Sequence, residues 1–359
     1  MHANQAINRR QAVAQLTMLA GGCCALSRTL HAADVPRKTR MGIVAYDCGL
    51  RSKWLRQNDS SYNLFEPLTF IKHCQTLGAG GMQVNLGSLE PATAAALREY
   101  SQAHDLFIEA IVSPPSDTQD LGRFEAEIKS AREAGAKAAR TVIIPGRRYE
   151  HFKTFAEFQQ AEKLGTAMVE LAVPVVEKHQ LPLAIENHKD QRIDQRLALL
   201  ERISSPYIGA CIDTGNSLAL LDDLYGTIEA LAPFACSVHF KDQALSEYDD
   251  GFLLGDIPLG QGSFDLKRIV RMIRAAKPDL QFCLEIITRD ALKVPCLHED
   301  YWRAVTEPTG RDVARTLHFV RTHSTPSQAI SQLPLVEQVA MEDANIEASL
   351  NYAGKELGL

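Results

Sequence analysis

The sequence predicts an α/β fold, a (β/α)8 TIM barrel, and two features of the chain support this prediction. Eight short apolar segments alternate with amphipathic patterns, and the spacing leaves room for one helix between consecutive segments, as in βαβ units. Most of the segments are apolar on both faces, which is typical of the parallel strands of a closed barrel. The alternative, an open doubly wound sheet, lacks a GxGxxG run after the first segment.

The predicted elements follow one another in a regular order. The strands are expected at residues 41–46, 81–86, 106–112, 139–144, 182–187, 207–213, 235–240 and 282–287. Helices are expected at residues 67–77, 91–104, 124–134, 156–179, 197–203, 224–231, 264–276 and 311–322. A glycine-rich run at 255–262 is interpreted as a turn that leads to a helix capped by Ser263.

The composition indicates a chain that can bury a full core, since 45% of its 359 residues are apolar and 23% are charged. The formal net charge is −6 and there is no basic stripe, which argues against a nucleic-acid partner. No apolar run approaches the length of a membrane-spanning helix. The six cysteines beyond residue 33 form no CxxC pair, so we interpret them as small buried hydrophobes.

The two ends of the chain are predicted to lie outside a barrel of residues 38–323. Residues 1–33 resemble a twin-arginine export signal, because Arg9 and Arg10 precede a modestly apolar stretch that ends in small residues. This predicts a periplasmic or otherwise exported protein; an ordinary first helix, or a lipid anchor at Cys23, is the alternative. Residues 324–359 are interpreted as a polar linker and a helical tail. The tail would pack across the barrel bottom or onto a neighbouring subunit of a homo-oligomer.

Four metal-capable side chains end, or nearly end, four successive predicted strands: Glu186, Asp213, His239 and Glu285. The C-terminal ends of barrel strands are where such folds build their active sites. A carboxylate at the end of an apolar strand is costly unless it is paired or bound to a metal. The set therefore predicts a site for a divalent ion, Mn²⁺ above all, with Mg²⁺, Co²⁺ or Zn²⁺ as alternatives.

Each ligand candidate also has an ordinary structural explanation. Asp213 could cap the next helix, His239 could be a satisfied core residue, and a glutamate could pair with Lys241 or Arg289. Glu186 and Glu285 are also the predicted catalytic pair, because they lie on strands five and eight and could flank a substrate. The residues predicted to contact a substrate are His188, Asn216, Lys241, Arg289 and Asn85. No arginine cluster that would mark a phosphate site is evident in the sequence.

The run IENH, IDTGN, VHFKD and LEI on eight βα units resembles the xylose-isomerase-like TIM barrel superfamily over about residues 40–323. In the ketose 3-epimerases of that group the matching glutamates bind the metal and form the acid–base pair. The resemblance therefore implies these roles for Glu186 and Glu285, with Asp213 and His239 as further ligands. Asn216 departs from the pattern, because the endonucleases and many ketose epimerases of the group carry histidine there.

The resemblance implies a metal-dependent sugar isomerase or epimerase that removes a proton beside a carbonyl and passes through an enediolate. The VHFKD block is more similar to the inosose dehydratases, in which Lys241 would contact a substrate oxygen. A lyase or dehydratase acting on a 3-keto-glycoside or an inosose is thus the first alternative. A non-catalytic carbohydrate-binding barrel is the second. Export favours free sugars, inositols or oxidised glycosides over sugar phosphates.

Overall fold

A computed structural model describes residues 38–359, and in this range eight parallel strands close into a barrel with helices around it. The strands are β1 (Gly42–Val44), β2 (Gly81–Asn85), β3 (Phe107–Ile111), β4 (Ala139–Thr141), β5 (Leu183–Glu186), β6 (Ile208–Asp213), β7 (Ala235–Phe240) and β10 (Cys283–Leu284). β10 pairs with β7 on one side and with β1 on the other, which closes the barrel. The predicted fold class is confirmed, and each barrel strand falls inside a predicted segment. Residues 1–33, the predicted export signal, lie outside the described range.

The helices match the predicted pattern except at three places. They are α1 (Gly49–Asn58), α2 (Pro67–Thr76), α3 (Pro91–Ala103), α4 (Leu121–Glu133), α5 (Arg148–His151), α6 (Phe155–His179), α7 (Ile193–Ile203), α8 (Leu224–Leu231), α9 (Leu266–Ala276), α10 (Glu299–Trp302), α11 (Gly310–Thr322) and α12 (Leu335–Tyr352). The polar helix α1 and the short helices α5 and α10 were not predicted. No helix in residues 38–359 has the length and apolar character needed to cross a membrane.

The predicted cap of α9 is wrong. Asp265, not Ser263, caps this helix, because its carboxylate accepts a hydrogen bond from the backbone N–H of Arg268 at 2.9 Å. The Ser263 hydroxyl instead donates to the backbone carbonyl of His323 at 2.6 Å. The loop before the helix is held by Asp242, whose carboxylate accepts from the backbone N–H groups of Gly260, Gly262 and Phe264.

A small antiparallel sheet that the sequence pattern did not predict lies beside the barrel mouth. It consists of β8 (Asp242–Tyr248), β9 (Gly251–Ile257) and β11 (Leu292–Val294), in the order β11-β9-β8. The β8–β9 turn requires a glycine at Gly251, because its φ is +153° and an added Cβ would lie 2.2 Å from the Val294 carbonyl oxygen. The hairpin places the Asp256 side chain near the mouth, 3.6 Å from Arg289.

The tail helix α12 packs against the side of its own barrel. It lies against α1 and the turn that follows β1, and its Ile346 and Leu350 side chains are buried. α11, the helix that follows the eighth barrel strand, packs instead on the β8–β9 hairpin. The turn after α12 contacts α9, so α12 occupies the place in the outer ring between α9 and α1. The last residue, Leu359, is also held in place, because its backbone carbonyl accepts a hydrogen bond from the Thr39 hydroxyl at 2.6 Å.

Glu342 of α12 makes the attachment of the tail dependent on pH. Its carboxylate accepts hydrogen bonds from the backbone N–H groups of Leu50 and Arg51, both at 2.8 Å, at the start of α1. Burial raises the pKa of Glu342 from 4.5 to about 7, although these two bonds act in the opposite direction. The folded chain therefore binds this proton more tightly than the unfolded chain, and stability should fall as the pH rises from about 4.5 through 7.

We expect the unfolding free energy to fall by about 2–3 kcal/mol more in the wild type than in Glu342→Gln when the pH is raised from 5 to 8, because Glu342 ionises in this range. The glutamine cannot ionise, so the variant should lack this part of the pH dependence. Chemical denaturation of both proteins at the two pH values measures the difference. Parallel pH dependences would contradict the assignment.

Candidate metal centre

The four predicted ligands lie together at the C-terminal mouth of the barrel. Glu186 and Asp213 end β5 and β6, His239 is the penultimate residue of β7, and Glu285 directly follows β10. The strand register pairs His239 with Asp213, and Glu285 lies two residues beyond Cys283, the partner of His239 on β10. One donor atom from each of the four lies within 4.8 Å of the other three, and all four residues are buried.

His239 is oriented by a buried polar chain inside the barrel. Its Nε2 lies 2.7 Å from the Oε1 of Gln83, whose amide nitrogen donates to Glu109 at 2.9 Å. Ser237 donates to the same Glu109 oxygen at 2.6 Å. These contacts direct Nδ1 of His239 toward the centre, where it lies 3.4 Å from Oε2 of Glu186 and 3.4 Å from Oε1 of Glu285. The sequence pattern did not identify these hydrogen-bonded residues, although Gln83 and Glu109 are polar residues inside apolar strand runs.

The two carboxylate oxygens of Asp213 make different contacts. Oδ1 accepts hydrogen bonds from the backbone N–H groups of Gly215 and Asn216 at 2.8 and 2.9 Å. It thereby closes the turn directly after β6. The next helix, α8, is capped by Asp223, so the alternative in which Asp213 caps that helix is wrong. Oδ2 faces the other predicted ligands and forms an ion pair with the Lys241 ammonium, 2.8 Å away. Burial raises the pKa of Asp213 to about 6, although Lys241 acts in the opposite direction.

Two buried cations hold the glutamates. Arg140, from β4, donates from Nε to Oε2 of Glu186 at 2.6 Å, and Lys241 contacts Oε2 of Glu285. Burial would raise the pKa of Glu186, but Arg140 and His239 outweigh it and lower the pKa to about 2. Burial opposes ionisation of Glu285 too, yet Lys241 and His239 hold its pKa well below the usual range. Both glutamates are therefore ionised at neutral pH.

The donor set fits a divalent cation. Three carboxylates and one imidazole converge, and the inward Nδ1 of His239 has no hydrogen-bond partner. Buried polar atoms without partners are uncommon, because each forfeits its hydration. A cation held by Glu186, Asp213, His239 and Glu285 would satisfy this atom, and oxygen and nitrogen donors are those that Mn²⁺ and Mg²⁺ accept.

A cavity of about 380 Å³ opens over these residues. Four of the five predicted substrate-contacting residues line it, namely His188, Asn216, Lys241 and Arg289. Asn85 does not line it and is exposed at the end of β2. Within the site, Asn216 donates its amide to Oε1 of Glu186 at 3.1 Å.

The cavity is richer in cations than the sequence suggested. The expectation of no arginine cluster is wrong, because Arg140, Arg147 and Arg289 line this one cavity together with Lys189 and Lys241. These residues lie far apart in sequence, and only the barrel brings them to one mouth. Arg140 stands out in the sequence as a basic residue in the apolar run ARTVII, which is the signal that would have identified it.

Comparison with known proteins agrees with this architecture. A match to the xylose isomerase-like TIM barrel family spans residues 71–315. Among solved structures, a D-psicose 3-epimerase superposes with a TM-score of 0.54 at 13% identity, covering 83% of this chain and 95% of that one. The probable 3-DHS dehydratase of Bacillus anthracis superposes with a TM-score of 0.52 at 14% identity, covering 74% of this chain and 96% of that one. At these identities the superpositions show a shared fold.

A curated relative is more similar in sequence over a shorter stretch. The 3-oxo-isoapionate decarboxylase of Pectobacterium atrosepticum is 26% identical over 140 residues, which is 38% of this chain. The chain thus spans about half the length of that relative, 51%. The family match covers more than half of the present chain and includes seven of the eight barrel strands, with all four predicted ligands. The chain belongs to the xylose isomerase-like TIM barrel family.

Proposed function

We propose that this protein is a divalent-metal-dependent sugar isomerase or epimerase that removes and returns a proton beside a carbonyl group. The observation that carries the proposal is the cluster of Glu186, Asp213, His239 and Glu285, whose donor atoms lie within 4.8 Å of one another under an open cavity. Membership in a family that includes sugar-modifying enzymes supports a carbohydrate substrate. Mn²⁺ is the metal we propose, because the donor set is rich in oxygen and contains a single nitrogen ligand.

Bound at these four residues, a divalent ion would supply Lewis acidity, which polarises a carbonyl and stabilises an enediolate. The chain's own residues supply the proton transfers. One ionised glutamate takes the proton from carbon, the C–H electron pair forms the C=C bond, and the carbonyl oxygen becomes anionic. The Lys241 ammonium, buried beside Glu285, would stabilise that oxygen.

The two glutamates flank the site, since Glu186 and Glu285 each place an oxygen 3.4 Å from Nδ1 of His239. Return of the proton by the same glutamate to the neighbouring carbon, with a proton passing between the two oxygens, gives an isomer. An epimer forms if the other glutamate delivers a proton to the opposite face of the original carbon. That glutamate must first take a proton from solvent, and the first glutamate releases its own proton to solvent. Arg140 and Lys241 hold both side chains in place for either outcome.

A lyase or decarboxylase acting on an oxidised sugar is the second candidate. The cation-rich cavity favours it, and so does the likeness to a decarboxylase of a 3-oxo sugar acid. The same cations that stabilise an enediolate formed by proton loss would stabilise one formed when a C–C bond breaks and CO₂ leaves. In a β-elimination the enediolate again forms by proton loss and then expels the β-substituent with its bonding electron pair. The two candidates share the enediolate and differ in which bond to carbon breaks.

Solvent exchange distinguishes the candidates. We expect that the Mn²⁺-loaded protein in D₂O will incorporate deuterium beside the carbonyl of a ketose, inosose or 3-keto-glucoside, as followed by proton NMR. Exchange with the carbon skeleton and the aglycone retained supports isomerisation or epimerisation. Release of water or aglycone from these substrates, or of CO₂ from a 3-oxo sugar acid added to the panel, supports the second candidate. If sugars bind but no deuterium is incorporated and no product is released, the protein is a non-catalytic carbohydrate-binding barrel.

We also propose export through the twin-arginine route, on the basis of Arg9, Arg10 and the small-residue stretch after them. In a bacterial host, the full chain should reach the periplasm with a new N-terminus after Ala32 or Ala33. Replacing both arginines with lysine should leave the protein in the cytoplasm. Equal export of the two forms would contradict the proposal.

A further inference from the structure

Among residues 38–359, the cavity contains one buried cation, Lys189, that contacts no carboxylate directly, although Asp213 and Asp256 act on it at longer range. We propose that Lys189 binds a carboxylate of the substrate, so that the substrate of this enzyme is a sugar acid. This inference rests on the proposed function for the sugar part of the substrate and on the cavity's own charges for the acid part.

Lys189 is 4% exposed and lines the cavity. Its ammonium donates to the Oδ1 of Asn216, and in residues 38–359 no carboxylate lies within ion-pair distance of it. Burial, and then Lys241, lowers the pKa of Lys189 to about 8. The other buried cations at or near the mouth each contact a carboxylate, in the pairs Arg140–Glu186, Arg148–Glu307, Arg196–Asp190 and Lys241–Asp213.

An unpaired buried charge is expensive, and proteins retain one mainly where a ligand completes the pair. The surroundings of Lys189 favour the binding of an anion there. Its amide partner Asn216 is neutral, and Lys241 lies close enough to depress its pKa. An anion that enters the cavity would therefore meet an ammonium that is already desolvated and held in position.

Arg289 extends the same positive surface toward the cavity mouth. Its guanidinium is 3.6 Å from Asp256, which is too long for a hydrogen bond, and its side chain is 36% exposed. Arg147, by contrast, is already paired with Glu150. Arg289 is held by this long ion pair and is partly exposed, so it could turn toward an incoming anion, and Lys189 would hold that anion more deeply.

The pairing of the buried cations favours a monoanion. Arg140, Lys189 and Lys241 are the buried cations that line the cavity. Only one of those cations lacks a carboxylate contact, and a sugar carboxylate supplies the single matching charge. A phosphate dianion would carry a second charge that only the exposed Arg289 could meet.

The test measures binding, using D-gluconate, its neutral counterpart D-glucitol, and D-glucose 6-phosphate as probes of the Mn²⁺-loaded full chain by calorimetry. We expect D-gluconate to bind at least tenfold more tightly than D-glucitol. Lys189→Met, which keeps the side-chain length, should lower D-gluconate affinity about tenfold and change D-glucitol affinity less than twofold. Lys189→Arg should retain most of the preference. Any chelation of the ion by D-gluconate is common to wild type and variants and cancels in the comparison.

A D-gluconate preference that survives Lys189→Met would overturn the assignment, and so would equal binding of D-gluconate and D-glucitol by the wild type. Tighter binding of D-glucose 6-phosphate than of D-gluconate would replace the carboxylate with a phosphate. Arg289→Gln serves as a second variant if Lys189→Met fails to fold, as judged by thermal melting, and should weaken D-gluconate but not D-glucitol.

These outcomes separate the inference from the proposed function. Solvent deuterium exchange into neutral ketoses, with no preference for acids, would keep the function and reject the carboxylate site. An acid preference that depends on Lys189, with no exchange into any sugar, would keep the site and reject the function.

Discussion

Replacing Glu285 with glutamine is expected to reduce turnover by about 10³- to 10⁴-fold, since the amide cannot accept the proton that the carboxylate takes from carbon. Glu186→Gln should cause a loss of similar size. Both glutamates are held ionised by a buried cation, Lys241 for Glu285 and Arg140 for Glu186, so both can serve as bases at neutral pH. Rates of deuterium incorporation and of product formation measure the effect.

The matched control is Glu247→Gln, which removes an exposed glutamate that pairs with Arg321 away from the cavity. This variant should retain wild-type turnover. Substrate affinity is the second readout, because a carbohydrate-binding barrel would keep its affinity in Glu285→Gln and have no catalytic step to lose. If both glutamate variants turn over at the wild-type rate, the acid–base assignment is wrong.

Replacing His239 with glutamine is expected to lower Mn²⁺ affinity by more than 100-fold, because it removes the only nitrogen donor of the cluster. Gln83→Leu should lower it less, by about 10- to 100-fold, since Gln83 does not reach the centre but orients the imidazole through Nε2. A larger loss of Mn²⁺ affinity in His239→Gln than in Gln83→Leu would distinguish a metal ligand from a residue that only orients it. Titration of metal-free protein with Mn²⁺, and metal content after dialysis, measure it.

The control for this series is Gln338→Leu, a tail-helix glutamine that donates to the Leu333 carbonyl and does not line the cavity of the metal centre. It should bind Mn²⁺ as the wild type does. Wild-type metal affinity in His239→Gln would remove the imidazole from the ligand set. Equal losses in His239→Gln and Gln83→Leu would instead point to a general collapse of the barrel interior, which thermal melting would reveal.

Much of the fold and the ligand set could be predicted from the sequence, for a simple geometric reason. Parallel strands of a barrel end at one rim, so polar residues that close apolar strands must lie near one another. This is why Glu186, Asp213, His239 and Glu285 could be named as a group before any contact was known. The elements were predictable for a related reason, because periodicity within each segment reports which faces are buried.

The partners of those ligands could not be predicted in the same way. Arg140 contacts Glu186, and Lys241 bridges Asp213 and Glu285, through side-chain directions that no spacing along the chain encodes. Asn85 shows the opposite case, because a residue at a strand end can still point away from the cavity. Position along a strand places a side chain near the rim, and packing decides where it points.

The sequence by itself determined a (β/α)8 barrel with four metal-capable side chains at one rim, because strand periodicity and strand-end polarity are local properties of the chain. Only the tertiary structure decided that α12 lies between α9 and α1, and that the β8–β9 hairpin flanks the mouth. Only it decided that Lys189 is buried without a carboxylate. These features depend on contacts between segments distant in sequence. Which of these contacts form is decided by how all the segments pack together.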